Sequence, residues 1–232
     1  MLEATFGRFV PAFIRRRLMV VETRIEQELR AFAEPLDPSK MLLDAGCGEG
    51  RHRRLFSNAR YFGVDLAIGD EAWNYSDVDA VANLSSLPFR ENVFDAAINV
   101  VVLEHTRDPA EVIRELARVL RPGGRLLLIA PHAWEVHQSP HDFFRFTRHG
   151  LALLFDRANL RTLRIEPVGG YFTLLARRLM NSIGFFQGGL RWLAFPFVAV
   201  VALICGLVLP LFDRLDAERN FTLAYVCVVE KG

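Results

Sequence analysis

The sequence predicts an α/β fold, in which a mostly parallel sheet carries helices on both faces. Short apolar runs alternate with segments whose apolar residues recur at helical spacing, a pattern typical of parallel sheets. A glycine-rich turn follows the first apolar run, as expected where a strand leads into a ligand-binding turn. One long uncharged stretch near the C-terminus breaks the alternation and is predicted to be a separate helical insertion.

Composition narrows the class of protein. The chain has 232 residues, 51% of them hydrophobic, and a formal net charge of +1. A chain of this size and composition can bury a full core, which excludes intrinsic disorder. The balanced charge does not suggest bulk nucleic-acid binding, and three widely spaced cysteines cannot form a disulfide framework. We expect one large domain, or one domain with an appendage, in a reducing compartment.

Residues 1–38 are predicted to form an N-terminal helical extension. Apolar residues from Leu18 to Phe32 follow helical spacing, and two prolines end that helix. The apolar stretch after the basic triplet at 15–17 is too short for a signal peptide. A helix covering the core domain is favoured for 18–32. Residues 6–17 include Phe6, Phe9 and Phe13. For this segment, the interpretation as an amphipathic helix on an anionic membrane surface remains open.

The remaining elements follow in chain order. Strands are predicted at 41–43, 61–64, 78–82, 94–102 and 126–130, with two more near 163–167 and 222–230. A helix opens at Pro109, and residues 122–124 stop it. Thr147 is predicted to cap another helix with apolar residues from Leu151 to Leu160. The predicted core domain is 39–170 with 221–232, and the predicted insertion is 171–220.

The glycine turn carries the first functional signal. Gly46, Gly48 and Gly50 follow Asp44, and a helix start is expected after them, where free backbone N–H groups would face a ligand. Asp65 lies 21 residues after Asp44, at the end of the next strand, where a carboxylate can accept hydrogen bonds from a ribose. The pattern predicts an adenosine-type cofactor. Its G-x-G-x-G spacing differs from the G-x-G-x-x-G fingerprint and disfavours a nicotinamide-dependent dehydrogenase.

Five ordered segments carry a family resemblance. Residues 43–50, LDAGCGEG, resemble motif I of class I S-adenosylmethionine-dependent methyltransferases. GVDL at 63–66 is similar to their ribose-binding strand end, and LSSLPF at 84–89 to the segment beside the adenine. FDAAI at 94–98 with LEH at 103–105 resembles the fourth-strand motif of the small-molecule (type 11) subgroup, and LRPGGRL at 120–126 the turn into the fifth strand. Asn83 departs from the Asp that relatives often carry.

The resemblance covers roughly residues 40–167 and implies a Rossmann-like, doubly wound, seven-stranded sheet whose last strand is antiparallel. It also implies S-adenosylmethionine as the cofactor, and no metal. The residues expected to bind this donor follow the first, second and fourth strands and the start of the adenine segment: Asp44, Gly46, Cys47, Gly48, Gly50, Asp65, Leu66, Asn83, Leu84 and Asn99. Asp65 would hold the ribose, Asn83 and Leu84 the adenine. Asn99 would lie near the methionine end.

Residues 131–149 are predicted to face the acceptor, because ligands of open α/β sheets sit at the carboxyl ends of the strands. Four of the six histidines lie here. The candidate catalytic bases are His105, His137 and His141. A metal site at His137 and His141 is disfavoured, since Pro140 interrupts any helix through both. A structural role for His105, and a purely structural Asp142–Arg145 loop brace, remain open beside the functional interpretations.

The insertion contains 21 residues, Trp192–Phe212, without a charged side chain, which is long enough for a membrane-helix candidate. A single crossing would separate two strands of one sheet, and two prolines shorten the helix. We therefore expect a helical hairpin that dips into one leaflet or lies on it. Four arginines would sit at the headgroups: Arg177, Arg178, Arg191 and Arg214. The alternative is a buried helix or a dimer contact.

Together these features predict a methyltransferase acting on a small-molecule, lipid or lipid-linked acceptor. The protein is expected to be cytoplasmic, peripheral or monotopic at the cytoplasmic face of a membrane, with no nucleic-acid partner. A homodimer is left open. The alternative is a catalytically inactive methyltransferase-fold protein that serves as a membrane scaffold or partner subunit.

Overall fold

The computed structural model describes residues 12–69 and 72–232, so Phe6 and Phe9 lie outside the described residues. Seven strands form one sheet in the order β3-β2-β1-β4-β5-β7-β6. In chain order they are β1 (Met41–Ala45), β2 (Arg60–Asp65), β3 (Ala80–Val81), β4 (Phe94–Val100), β5 (Leu120–Pro131), β6 (Leu160–Val168) and β7 (Ala224–Lys231). The predicted seven-stranded α/β fold is confirmed.

The sheet register brings the functional strand ends together. β1 pairs in parallel with β2 and with β4, and β4 pairs in parallel with β5. The carboxyl ends of these four strands therefore meet at one edge of the sheet. β7 runs antiparallel to β5, as the resemblance implies for the last strand. A core of buried apolar side chains packs on the central strands, including Leu43, Ala97 and Leu128.

Helices precede, separate and follow these strands along the chain. The α-helices are α1 (Ala12–Leu18), α2 (Val20–Ala33), α3 (Pro109–Val119), α4 (Arg148–Arg157), α5 (Tyr171–Ser182) and α6 (Phe195–Val208). Asp108 caps α3 by accepting from the Glu111 N–H at 3.0 Å. The predicted cap of α4 is present, since the Thr147 hydroxyl accepts from the Gly150 N–H at 3.0 Å. Leu160, expected on that helix, instead opens β6.

The helix start expected directly after the glycine turn is wrong. Residues 46–59 connect β1 to β2 and contain only a 3₁₀ turn, Arg53–Phe56. All three glycines of the turn have positive φ, so the backbone is not helical before residue 51, and only residues 51–59 of this short connection remain. Too few residues remain for an α-helix that returns the chain to β2. Backbone donors for a ligand must therefore come from the turn itself.

The chain divides into two compact units. The larger comprises Ile25–Glu166 and Ala224–Gly232, and contains nearly all of the sheet. The other comprises Pro167–Leu223 together with the N-terminal segment up to Arg24. Its main elements are α5, α6 and a 3₁₀ helix at Leu209–Leu215. Within this unit Arg177 faces Glu22 at 3.7 Å, so this one of the four arginines has a carboxylate partner.

Two aspartates tie the ends of the apolar segment together. Asp213, in the 3₁₀ helix at Leu209–Leu215, accepts from the N–H groups of Gly170 (2.8 Å) and Thr173 (3.0 Å) and from the Thr173 hydroxyl. Asp216 accepts from the Tyr171 N–H at 2.8 Å. The free backbone donors at the start of α5 are thus satisfied by residues that follow α6. Entry to the segment and exit from it are held at one point, as in a closed hairpin.

Most of the long apolar helix is not covered by protein. By length and composition, Phe195–Leu215 is the one helical segment among the described residues that could cross a membrane, and 11% of its most apolar window is buried. Phe197 is 73% exposed, and Val200 and Ile204 are each 55% exposed. Gly206 and Ala202 face inward, where an added Cβ on Gly206 would meet Leu18 and Met180. The α-helical part, α6, has 14 residues, about 21 Å of rise against about 30 Å of hydrocarbon.

Replacing Asp213 tests the tie. Asp213→Ala leaves the Gly170 and Thr173 amides without their acceptor, which should cost about 1–2 kcal/mol locally. We expect hydrogen–deuterium exchange at residues 170–173 to accelerate about tenfold. Asp216→Ala, which releases the Tyr171 amide within the same stretch, should leave protection at Thr173 intact. Unchanged exchange at Thr173 in Asp213→Ala would contradict the tie.

Candidate functional site

The glycine turn after β1 is pressed against its neighbours. Gly46 and Cys47 donate backbone hydrogen bonds to the Val64 carbonyl at 2.7 and 3.1 Å. Gly46 has a φ of +89°, and an added Cβ there would lie 2.5 Å from the Val102 methyl groups. Only glycine accommodates both that backbone and that approach. The turn therefore lies directly between the ends of β2 and β4.

Asp65 organises this turn from the end of β2. One carboxylate oxygen accepts from the Gly48 N–H, and the other accepts from the Ala67 N–H, both at 2.8 Å. Each oxygen retains a lone pair after these bonds, so the carboxylate can still accept hydrogen bonds from a diol. Leu66, next to it, is 41% exposed and presents an apolar surface. The position predicted for ribose binding has the chemistry that a ribose requires.

Asp44 lies beneath the turn and is fully enclosed. Burial raises the pKa of Asp44 to about 7, against the opposing effect of a hydrogen bond donated by the Tyr61 hydroxyl and with a smaller contribution from Asp65. Burial likewise raises the pKa of the Cys47 thiol to about 12, so this thiol is not a nucleophile at neutral pH. Asp44 braces the turn through Tyr61 and has 1% exposure to solvent.

The remaining predicted donor residues lie along the same edge. The side chain of Asn99 is buried at the end of β4, and its amide donates to the Ala45 carbonyl at 2.8 Å. Among residues 12–69 and 72–232, its Oδ1 has no hydrogen-bond partner. Asn83 is exposed and accepts from the Ser85 N–H at 2.9 Å, while Leu84 is buried beside it. Asn83 therefore shapes the turn that would meet an adenine and leaves its amide group available.

These residues fit S-adenosylmethionine. The glycines let the backbone of the turn lie close against the ends of β2 and β4, Asp65 offers acceptors for a ribose, and the buried Oδ1 of Asn99 requires a donor such as an ammonium group. Trp73, which the sequence did not single out, lies 3.4 Å from a Cβ built on Gly48 and walls the outer side of the turn. An aromatic wall there is recognisable only once the loop before β3 is folded.

The predicted acceptor loop after β5 is braced by an ion pair. Arg145 contacts both oxygens of Asp142 at 2.6 and 2.7 Å, and this guanidinium holds the pKa of Asp142 well below its usual range. Asp142 also accepts from the His137 N–H at 2.8 Å. The Phe143 and Phe144 N–H groups donate to the Glu104 carbonyl. The structural role left open for the pair is thus present, and it fixes the loop against the end of β4.

The structure separates the three candidate catalytic histidines. His105 and His137 lie together, with ring centroids 4.7 Å apart, although 31 residues lie between them in the sequence. His141 contributes only its backbone carbonyl, which accepts from His105 Nδ1 at 2.6 Å, and its ring packs near Phe143. The third member of the cluster is Glu104, at 0% exposure, which lies beside both rings. Its carboxylate raises the pKa of His137.

Glu104 was not among the predicted site residues. It appears in the sequence only as part of the LEH segment after the fourth strand, where an acidic residue is ordinarily solvated. Its full burial depends on the loop after β5 folding over it, which the sequence does not reveal. A Glu-His pair at a strand end followed by a histidine-rich loop is the signal that could have found it.

Part of the chain resembles proteins that are already known. Residues 43–128 match the model described as "Methyltransferase domain". A probable tRNA methyltransferase 9B from Mus musculus is 29% identical over 60% of this chain and 31% of its own length. The tRNA (carboxymethyluridine(34)-5-O)-methyltransferase of Arabidopsis thaliana is 34% identical over 44% of this chain and 26% of its own. This chain thus spans less than a third of both relatives.

Shorter relatives and solved structures agree on the fold. A probable S-adenosylmethionine-dependent methyltransferase of Mycolicibacterium smegmatis is 38% identical over 39% of this chain and 38% of its own. A geranyl diphosphate methyltransferase structure aligns with a TM-score of 0.60 at 14% identity, covering 91% of this chain and 79% of that one. The [4+2]-cyclase SpnF aligns at 0.58 with 22% identity, covering 89% and 81%. At such identities the structures show the shared fold alone.

The glycine turn at residues 46–50, together with Asp65 and Asn99, is called the donor cradle below. Gly46 provides the sharpest test of its role in binding S-adenosylmethionine. In Gly46→Ala the new Cβ collides with Val102, so the turn must shift and S-adenosylmethionine binding should weaken at least about tenfold. Gly123→Ala is the matched control, because Gly123 also has positive φ but an added Cβ there meets nothing within 4 Å. Both variants carry about 1 kcal/mol of left-handed strain. Calorimetric titration should show the loss only in Gly46→Ala, and equal affinities would contradict the cradle.

Asp44 should make stability depend on pH. Its folded pKa of about 7 exceeds the ordinary 3.8, so its contribution is fully present below pH 4 and is lost as the pH rises through 7. Between pH 5 and 8 the wild-type free energy of unfolding should fall by about 2 kcal/mol more than that of Asp44→Asn, whose amide does not titrate. Urea denaturation at the two pH values measures this. Parallel pH profiles would show that Asp44 titrates as in an unfolded chain.

Proposed function

We propose that this chain, whose residues 43–128 match the model of a methyltransferase-domain family, is an S-adenosylmethionine-dependent methyltransferase that methylates a lipid or lipid-linked acceptor at a membrane surface. S-adenosylmethionine is the family's cofactor and, when bound, supplies an electrophilic methyl group on a sulfonium. The observation that carries the proposal is the combination, in one chain, of an intact donor cradle with an uncovered apolar hairpin. The cradle supports methyl transfer, and the hairpin supports the choice of acceptor.

The chain's own residues supply positioning rather than covalent chemistry. Asp65 would accept from the ribose while it continues to hold the Gly48 N–H, so donor binding and turn geometry are coupled. Asn99 Oδ1 would accept from the methionine end. The loop braced by Asp142 and Arg145 would cover the acceptor and exclude water. His105 or His137 would take a proton from an acceptor that must lose one.

The apolar helix supports the membrane part of the proposal. Phe197, Val200 and Ile204 are exposed on one helix. Single exposed apolar residues are common on protein surfaces, but an exposed apolar face of this kind marks an interaction site. The tie made by Asp213 and Asp216 keeps both ends of the segment together, which suits a hairpin resting in one leaflet better than a single span. On this basis we propose a peripheral or monotopic position at the cytoplasmic face of a membrane.

The relatives named as tRNA methyltransferases support a second candidate, methylation of a tRNA nucleoside. Their matched region covers about half of this chain. Against this candidate stands the near-neutral net charge, since proteins that track a phosphate backbone usually carry a strong basic excess. The uncovered hairpin also has no role in this alternative.

Transfer from labelled S-adenosylmethionine decides between the candidates. Purified protein is incubated with membrane lipid extract, with bulk tRNA, or with neither. We expect label in the lipid fraction, and loss of transfer in Asp65→Ala, which frees the Gly48 amide. Label confined to tRNA would replace the lipid acceptor with a nucleic acid. Donor binding without transfer to either would favour the inactive scaffold.

Flotation with anionic phospholipid vesicles tests the membrane part separately. Wild-type protein should float with the vesicles, and the double variant Phe197→Ser/Ile204→Ser should bind at least about tenfold more weakly because two exposed apolar anchors are lost. Val81→Ser is the matched control, since Val81 is 68% exposed on β3 outside the hairpin. Wild-type protein that stays with the soluble fraction would contradict membrane association.

A further inference from the structure

We propose that Glu104, His105 and His137 form a binding site for one divalent metal ion of the zinc type. One ligand atom from each residue lies within 4.8 Å of the others. The Glu104 Oε1 atom is 3.6 Å from His105 Nε2 and 3.7 Å from His137 Nε2. The three residues come from two segments, the turn after β4 and the loop after β5.

The hydrogen bonds of the two rings establish which nitrogens are free. His105 Nδ1 lies 2.6 Å from the His141 carbonyl, and His137 Nδ1 lies 3.1 Å from the Glu135 carbonyl. A carbonyl oxygen only accepts, so each Nδ1 must carry the proton. In the neutral form of each ring, which a metal ion requires, Nε2 presents a lone pair; Glu104 raises the pKa of His137, so a metal ion would displace the proton that this carboxylate favours there. Histidines that bind metals characteristically donate their other N–H to a carbonyl or carboxylate in this way.

With both rings neutral, the Glu104 carboxylate and the two Nε2 atoms meet without a hydrogen-bond donor between them. Within the described part of the chain, both Glu104 oxygens and the two Nε2 atoms are buried and have no hydrogen-bond partner. A fully enclosed carboxylate that accepts no hydrogen bond is very costly unless a cation compensates it. A metal ion satisfies all three side chains at once. Asp142 stands behind His137, 3.4 Å from its Nδ1, and is itself fixed by Arg145.

The distances and donor types favour zinc over magnesium. Tetrahedral zinc with bonds of about 2.0–2.1 Å separates its ligands by about 3.3 Å, so the two gaps from Glu104 Oε1 need close by only a few tenths of an ångström, and all three ligand atoms lie within 4.8 Å of one another. Two imidazoles and one carboxylate are a known zinc ligand set with an open fourth position. Magnesium prefers oxygen ligands and would be a poor match to two ring nitrogens.

The open position suggests a role, which rests on the proposed function. The cluster lies at the carboxyl ends of β4 and β5, the edge at which the acceptor is expected. A metal there would bind an acceptor oxygen and favour its deprotonation, so that the attacking atom is the oxygen and the displaced proton leaves to water. This departs from the expectation that no metal is involved.

Metal binding is tested without reference to activity. Protein stripped with a chelator is titrated by calorimetry with ZnCl₂ and with MgCl₂, and bound metal is counted by mass spectrometry. We expect one zinc per chain, at least about 100-fold tighter than magnesium, and a rise in Tm on adding zinc. Glu104→Gln and His137→Ala should each weaken zinc binding at least about tenfold, whereas His149→Ala, at an exposed histidine of α4, should not.

Glu104→Gln also keeps the test interpretable, because its amide can donate to a bare Nε2 and should fold without metal. No stoichiometric zinc in the wild type, unchanged affinity in Glu104→Gln, or tighter magnesium binding would each overturn the site. The same stripped protein is titrated with S-adenosylmethionine in parallel. Binding of S-adenosylmethionine without binding of zinc would overturn the metal site and leave the proposed function standing. Binding of zinc without binding of S-adenosylmethionine would overturn the proposed function and leave the metal site standing.

Discussion

The close approach of the glycine turn to the ends of β2 and β4 is the constraint on which the rest of the site depends. Gly46 leaves no room for a side chain beside Val102, and the Asp65 carboxylate draws the Gly48 N–H towards the end of β2. Both contacts join strands that are neighbours in the sheet but distant in sequence. The contacts of the turn therefore require the pairing of β1 with both β2 and β4. Donor recognition is in this sense a property of the sheet register, and a shift of one residue in either pairing would remove it.

The fold was predictable from sequence where burial and local chemistry agree. β4 and β5 are buried along most of their length, so their sequences are nearly continuous apolar runs, and Asp108 and Thr147 mark helix starts with their own side chains. The failure lies at residues 46–59, where a helix was expected after the glycines. Glycine spacing predicts a turn that binds a ligand, but it does not reveal how much of a short connection the left-handed backbone will occupy.

The site was predictable only in part, for a related reason. Residues of the donor cradle follow directly from strands, so one local pattern places them. The cluster around Glu104 forms between two segments, and the loop after β5 is held in place by Asp142, Arg145 and the Glu104 carbonyl together. No local pattern encodes that three-way contact. His141 illustrates the difference, since its sequence position suggests a base, yet its carbonyl is what the structure uses to orient His105.

Fold alone does not decide the chemistry of such a protein, because a [4+2]-cyclase and a geranyl diphosphate methyltransferase share this architecture. What differs between members must lie in the segments after β4 and β5 and in what is added to the sheet. In this chain those segments bury a carboxylate and two imidazole nitrogens without donors, and the addition is a hairpin whose apolar face is uncovered. Both features cost free energy. The buried cluster does so because its hydrogen-bond acceptors lack donors, and the apolar face does so because it is exposed to water. These two costs are the physical reason for which we propose a cation at the buried cluster and a lipid at the apolar face.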